Sequence, residues 1–81
     1  MAKVTIYSTP TCPYCKMAKE FFKSKNVEFS DIDVAANSEE AQKMIEKSGQ
    51  TGVPVIIIDD NGKEDVIVGF NQEKIESLLG L

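Results

Sequence analysis

The chain changes its hydrophobic period at one point, and two cysteines mark it. Upstream, Val4 and Ile6 alternate with Thr5 and Tyr7, the two-residue period of a short strand. Ser8-Thr9-Pro10-Thr11 breaks that pattern, and Cys12-Pro13-Tyr14-Cys15 follows. From Pro13 onward Met17, Ala18, Phe21 and Phe22 recur at helical spacing, with Lys16, Lys19, Glu20 and Lys23 on the other side. Proline suits the first helical position, where its missing N–H would lack a partner anyway. The seam therefore predicts a helix opening at Pro13 with Cys12 as its N-cap, ending at Asn26.

The same punctuation continues along the chain. Val27, Phe29 and Ile32, interleaved with Glu28, Ser30 and Asp31, read as a second strand. Asn37-Ser38-Glu39-Glu40 opens a second helix with capping-box spacing; Ala41, Met44 and Ile45 form its buried face and Gly49 its stop. After the loop Gln50-Thr51-Gly52, Val53-Pro54 leads into Val55-Ile56-Ile57-Ile58, an apolar run expected of a strand covered on both faces. Asn61-Gly62 favours a tight hairpin, returning along Glu64 to Val68. Gly69-Phe70 bends, and Asn71 caps a last helix with Ile75, Leu78 and Leu79 inward. The expected order is β-α-β-α-β-β-α, an α/β fold with a four-stranded mixed sheet flanked by three helices.

Composition bounds what such a chain can do. Its 81 residues form one expected domain, 1–81, and 42% apolar side chains suffice for a single core. Nine lysines against thirteen acids leave a net charge of −4, which argues against nucleic acid as partner. With no histidine there is no imidazole base and no His-ligated metal. Two cysteines cannot close a tetrahedral zinc site within one chain. No apolar run reaches membrane-span length, and no hydrophobic signal segment precedes the first strand. The expectation is a cytoplasmic monomer with no membrane partner and no bound metal. In such a compartment, paired cysteines are more often catalytic than structural.

The position of the cysteines supplies the chemistry. Thiolate is the nucleophile, and a free cysteine ionises near about pH 8.5. At a helix N-terminus, unpaired N–H groups and the positive end of the dipole favour the anion. Cys12 sits at that tip, near the surface, and is the expected attacker. Cys15, one turn in and less accessible, is placed to displace it from a mixed disulfide. Lys16 and Lys19 add positive charge nearby, on a face expected to be solvated.

Cys12-Pro13-Tyr14-Cys15 followed by Ala18-Lys19, together with Ser48-Gly49-Gln50-Thr51-Gly52-Val53-Pro54, resembles the glutaredoxin family over nearly the whole chain, from Lys3 to Leu79. The resemblance implies the thioredoxin-like fold, Cys12 as nucleophile and Cys15 as resolving thiol, with glutathione as co-substrate and no bound cofactor. It implies that Pro54 is a cis-proline whose predecessor, Val53, pairs strand-fashion with glutathione or an extended peptide. Pro13 and Tyr14 would flank the glutathione groove, and Gln50 or Thr51 would reach a glutathione carboxylate. Asn71 and Gln72 stand where the family carries a small residue and an acid after two glycines; here the stretch is Gly69-Phe70-Asn71-Gln72. An amide in place of that acid weakens a charge-assisted contact. Gly-Phe is instead similar to redoxins that serve ribonucleotide reductase and are recharged by thioredoxin reductase. The lysine that many glutaredoxins carry before the first cysteine is also missing from Ser8-Thr9-Pro10-Thr11.

The expected function is reduction of protein or glutathione mixed disulfides, with glutathione as reductant. Recharging by thioredoxin reductase is the alternative. A third reading, a dimer holding a 2Fe–2S cluster through Cys12 of two chains and glutathione, is opposed by the stiff Pro13. A structural module with an incidental cysteine pair has the least support.

Overall fold

The computed structural model describes residues 3–80. Its elements run β1 (Lys3–Ser8), α1 (Pro13–Ser24), β2 (Phe29–Asp33), α2 (Ser38–Ser48), β3 (Val55–Asp60), β4 (Lys63–Val68) and α3 (Gln72–Leu79). The order matches the sequence reading. The four strands form one sheet in the order β2-β1-β3-β4. β1 pairs with β2 in parallel and with β3 antiparallel, and β3 pairs antiparallel with β4, so the sheet is mixed.

Alternation along the strands splits the core in two. Val4, Ile6, Ile56, Ile58 and Ile67 face Ala18 and Phe22 of α1 and Ile75 of α3. Tyr7, Val55 and Ile57 face Met44 of α2. β3 contributes to both layers, which explains its unbroken apolar run: all of Val55, Ile56, Ile57 and Ile58 are buried. Two helices thus cover one face of the sheet and the third covers the other.

The helix ends obey local rules. Asn37 Oδ1 accepts the Glu40 N–H at 3.2 Å, half of the predicted capping box; the Glu40 carboxylate turns to Lys43 instead, at 3.3 Å. Gly49 closes α2 in the left-handed region at φ 77°. Asn61 and Gly62 both have positive φ, 54° and 85°, as a two-residue hairpin of this hand requires.

Two expectations need correction. Val27 lies outside β2. Asn26 adopts φ 56°, and the N–H groups of Asn26 and Val27 return to the carbonyls of Lys23 and Phe22. That is a Schellman closure, which spends the Val27 N–H on the helix and packs its side chain against the core beside Phe22. Met17 is not on the buried face; it is 49% exposed. The buried stripe of α1 is Cys15, Ala18 and Phe22, and a neighbour of Ala18 is turned about 100° away from it around the helix axis.

Phe22 is fully buried and touches both Phe21 and Phe29 by ring contacts. Phe22→Ala is expected to cost about 3–5 kcal/mol, a large share of the stability of so small a domain. Denaturant unfolding followed by far-UV circular dichroism measures it, and a loss below about 1 kcal/mol would contradict this account of the core.

Candidate active site

The site forms where the loop after β1 delivers the chain into α1. Cys12 is the N-cap, in extended conformation at φ −87° and ψ 113°, and Pro13 is the first helical residue. The backbone N–H of Cys15 donates to Cys12 Sγ at 3.2 Å. The sulfur therefore does the work that a serine or aspartate oxygen does at an ordinary N-cap. Cys12 is half-buried, whereas Cys15 is fully enclosed. Both are free thiols.

Burial pushes the Cys15 thiol up, to about 11, and its hydrogen bond with Cys12 adds to the rise. A backbone hydrogen bond at Thr9 and the charge of Lys19 act in the opposite sense. Desolvation wins because it removes solvent from a thiolate with little in the core to replace it.

The segment before β3 closes the other side. The Val53–Pro54 peptide bond is cis, as the resemblance implied. Cys12 Sγ lies 3.8 Å from the Val53 carbonyl oxygen, with its thiol donating. Pro54 is buried, and its own carbonyl accepts the Gly69 N–H at 2.8 Å. That bond ties the start of the Gly69-Phe70-Asn71-Gln72 stretch to the proline.

The remaining residues singled out in the sequence lie outside this contact. Pro13 and Tyr14 are exposed at the start of α1, Tyr14 at 62%. Gln50 and Thr51 are exposed on the loop entering Val53, with the Gln50 N–H and carbonyl both engaged by the Ser48 hydroxyl. Asn71 Oδ1 accepts the Lys74 N–H at 3.2 Å, so this side chain is an N-cap. Gln72 borders a shallow groove of about 350 Å³ together with Met17, Glu20, Phe21, Ser24 and Phe70.

Sequence reading missed a polar cluster that links β1, β2 and α1. Ser8 is 2% exposed, and its hydroxyl donates to Asp31 Oδ1 at 2.7 Å. Asp31 Oδ2 lies 2.8 Å from Lys19 Nζ, so Lys19 is engaged rather than simply solvated. Desolvation raises the Asp31 carboxyl, but the Lys19 and Ser8 hydrogen bonds and the charges of Lys19 and Lys23 outweigh it and hold it below the usual carboxylate range. Its contribution to stability is thus present above the ordinary Asp range and is lost as pH falls through the lowered value. A polar residue at the buried end of a strand, Ser8, was the available signal.

Among the described residues no group of three or more His, Cys, Asp or Glu is placed to hold a metal ion, and no helix is long and apolar enough to cross a membrane.

The glutaredoxin family model matches residues 4–62, a stretch that includes both cysteines and the cis-proline. The chain belongs to the glutaredoxin family. It is 51% identical over 76 residues to a glutaredoxin-like 8.6 kDa protein of the rubredoxin operon of Clostridium pasteurianum, covering 94% of this chain and 96% of that one. It is 46% identical over 59 residues to glutaredoxin 3 of Escherichia coli, covering 73% and 71%. Among solved structures it resembles the glutaredoxin-like protein NrdH-redoxin from Escherichia coli, described by its thioredoxin-like activity profile, with TM-score 0.79, 26% identity and coverage of 94% and 93%. Glutaredoxin membership makes this a thiol oxidoreductase acting on disulfide-containing proteins, carried on the thioredoxin-like fold.

The contrast between the two thiols is measurable. At neutral pH iodoacetamide is expected to modify Cys12 in the folded protein while Cys15 stays unlabelled, with Cys15 reacting only as pH approaches about 11 or the chain unfolds. Peptide mapping after timed alkylation reads this, and equal labelling at both positions would contradict it.

Proposed function

We propose that the protein is a dithiol thiol–disulfide oxidoreductase in which Cys12 attacks and Cys15 resolves. The observation that carries this reading is the pairing of a half-exposed Cys12 sulfur, receiving the Cys15 N–H at 3.2 Å, with a fully buried second thiol. Cys12 attacks a substrate disulfide, one substrate sulfur leaves as thiol, and a mixed disulfide forms. Cys15 then attacks Cys12, the second substrate sulfur leaves, and the Cys12–Cys15 disulfide remains. Two electrons have passed from the protein to the substrate, and an outside reductant must restore both thiols.

Glutathione is the proposed reductant. Tyr14, Val53-Pro54 and the Gln50-Thr51 loop match the family's binding residues, and the Val53 backbone is the proposed pairing edge for a peptide-like ligand. Pro13 stiffens the turn beneath it. Substrates are proposed to be protein disulfides and glutathione mixed disulfides, met by a monomer in the cytoplasm. The second reading, recharging by thioredoxin reductase, is favoured by the structural likeness to a redoxin of thioredoxin-like activity and by Gly69-Phe70-Asn71-Gln72. Gln72 offers no carboxylate to a substrate ammonium group, which removes a contact typically stronger than a neutral hydrogen bond.

Oxidised protein mixed with glutathione, or with thioredoxin reductase and NADPH, separates the two. Reduction by glutathione at physiological concentration is expected; reduction by the flavoprotein alone would reverse the preference. In either case Cys12→Ser is expected to abolish activity, and Cys15→Ser to accumulate a mixed disulfide visible by mass spectrometry. Activity surviving Cys12→Ser would sink both readings.

A further inference from the structure

The exposed apolar residues of α1 are not scattered. Tyr14 and Met17 stand one helical turn apart, and Phe21 continues the same stripe one turn further on. The stripe starts at the cysteine-bearing tip of α1 and runs into the groove of about 350 Å³ between α1 and the start of α3. Phe21 of α1 and Phe70, just ahead of α3, meet there edge to face with ring centres 5.7 Å apart. Gly69, the residue before Phe70, donates its N–H to the Pro54 carbonyl, so both walls of the groove lead back to the Cys12 site. Single exposed hydrophobic residues are ordinary on a protein surface. A stripe that opens from a reactive sulfur into a groove is a contact surface.

We infer that this groove docks the protein substrate. An extended segment of the disulfide-bearing partner lies along α1 and seats a large apolar side chain against Met17, Phe21 and Phe70, with a lysine or arginine beside Glu20. The inference rests on the attack by Cys12 proposed above and names the substrate class of that site: protein disulfides flanked by an apolar and a basic residue.

Length and charge select a polypeptide over glutathione. Met17 lies about 7.5 Å beyond Cys12 along α1, and Ser24, at the far end of the groove, about 18 Å beyond it. An extended chain advances about 3.3 Å per residue, so positions about two to five from the reacting cysteine pass over the groove. Glutathione has a single residue on either side of its cysteine and is too short to run that length. Of the six residues lining the groove, only Glu20 is ionised. Among the described residues no lysine stands within ion-pair distance of it. Lys16 and Lys23 lie about 100–120° round the helix from Met17, away from the groove. On α3, Glu76 follows Gln72 by one turn and adds charge of the same sign. A basic side chain complements that wall, whereas glutathione brings two carboxylates against one ammonium group.

Short peptides of palindromic sequence test this whichever way the segment runs. Lys-Leu-Gly-Cys-Gly-Leu-Lys, an analogue with serine for leucine, and another with glutamate for lysine are each joined through cysteine to a coloured aromatic thiol. Cys12 of the reduced protein displaces the coloured thiolate and takes up the peptide as a mixed disulfide. Cys15 then displaces the peptide thiol, leaving the Cys12–Cys15 disulfide. Stopped-flow absorbance gives the rate constant of the first step, divided by that of the same peptide with free cysteine so that the peptide's own reactivity cancels. The leucine peptide is expected to react about three- to tenfold faster than the serine peptide, and Met17→Ser to remove most of that difference. The lysine peptide is expected to exceed the glutamate peptide by about threefold at low salt, a preference that Glu20→Gln reduces. Equal rates for the leucine and serine peptides, a preference for glutamate, or a leucine preference unchanged in Met17→Ser would each overturn the inference. If Met17→Ser slows all three peptides equally, its effect is structural and the inference is likewise overturned. A dimer at assay concentrations that Met17→Ser dissociates makes the occupant a second copy of this chain, and that too overturns it. The comparison of peptides on the parent protein needs no variant. Failure of the underlying reading looks different: Cys12→Ser would then release the coloured thiol as fast as the parent.

Discussion

A backbone N–H directed at a sulfur atom organises this molecule. Cys12 can accept from Cys15 only while it stands in extended conformation ahead of a helix whose first turn is intact. Pro13 presets that turn, and the buried stripe of Cys15, Ala18 and Phe22 fixes the helix on the sheet. The sheet, in turn, brings the Val53 carbonyl from a segment 41 residues away to within 3.8 Å of the same sulfur. Helix capping, core packing and strand order are therefore three conditions on a single atom, and each is met by ordinary residues.

The two sulfurs then differ because of where one turn of helix puts them. The first is at the tip, partly open to solvent, with a donor directed at it. The second is inside, where desolvation dominates. The proposed exchange uses that difference: an attacking group must be reachable, and a resolving group must wait. Neither property belongs to cysteine as a residue type. Both come from a spacing of three positions at the start of a helix.

Much of this was legible in the chain because it is local. The helix caps at Asn37 and Asn71, the closure at Gly49, the hairpin at Asn61-Gly62 and the covered strand Val55 to Ile58 are each decided within a few residues. What escaped was the edge of a buried stripe, a competition for one N–H, or a contact distant in sequence. Met17 fell on the wrong side of α1 because helical spacing alone does not fix the edge of a buried stripe. Val27 was claimed by a helix closure that competes with strand pairing for the same N–H. The Ser8–Asp31–Lys19 contacts depend on β2 lying next to β1 in register, and no short window of sequence displays that. Within the site, Cys12, Cys15, Val53 and Pro54 are brought together, whereas the Asn71 side chain serves its own helix.

The outer strands carry a consequence of their own. β2 and β4 each leave one side of the sheet without a neighbour. Their sequences, Phe-Ser-Asp-Ile-Asp and Lys-Glu-Asp-Val-Ile-Val, place ionised side chains along both margins, while the aliphatic run Val55 to Ile58 of β3 is enclosed between β1 and β4. Stacking of one folded molecule onto the rim of another would strip water from those carboxylates, which resists growth into fibrils. The segment best suited to amyloid is thus kept at the centre of the barrier that contains it.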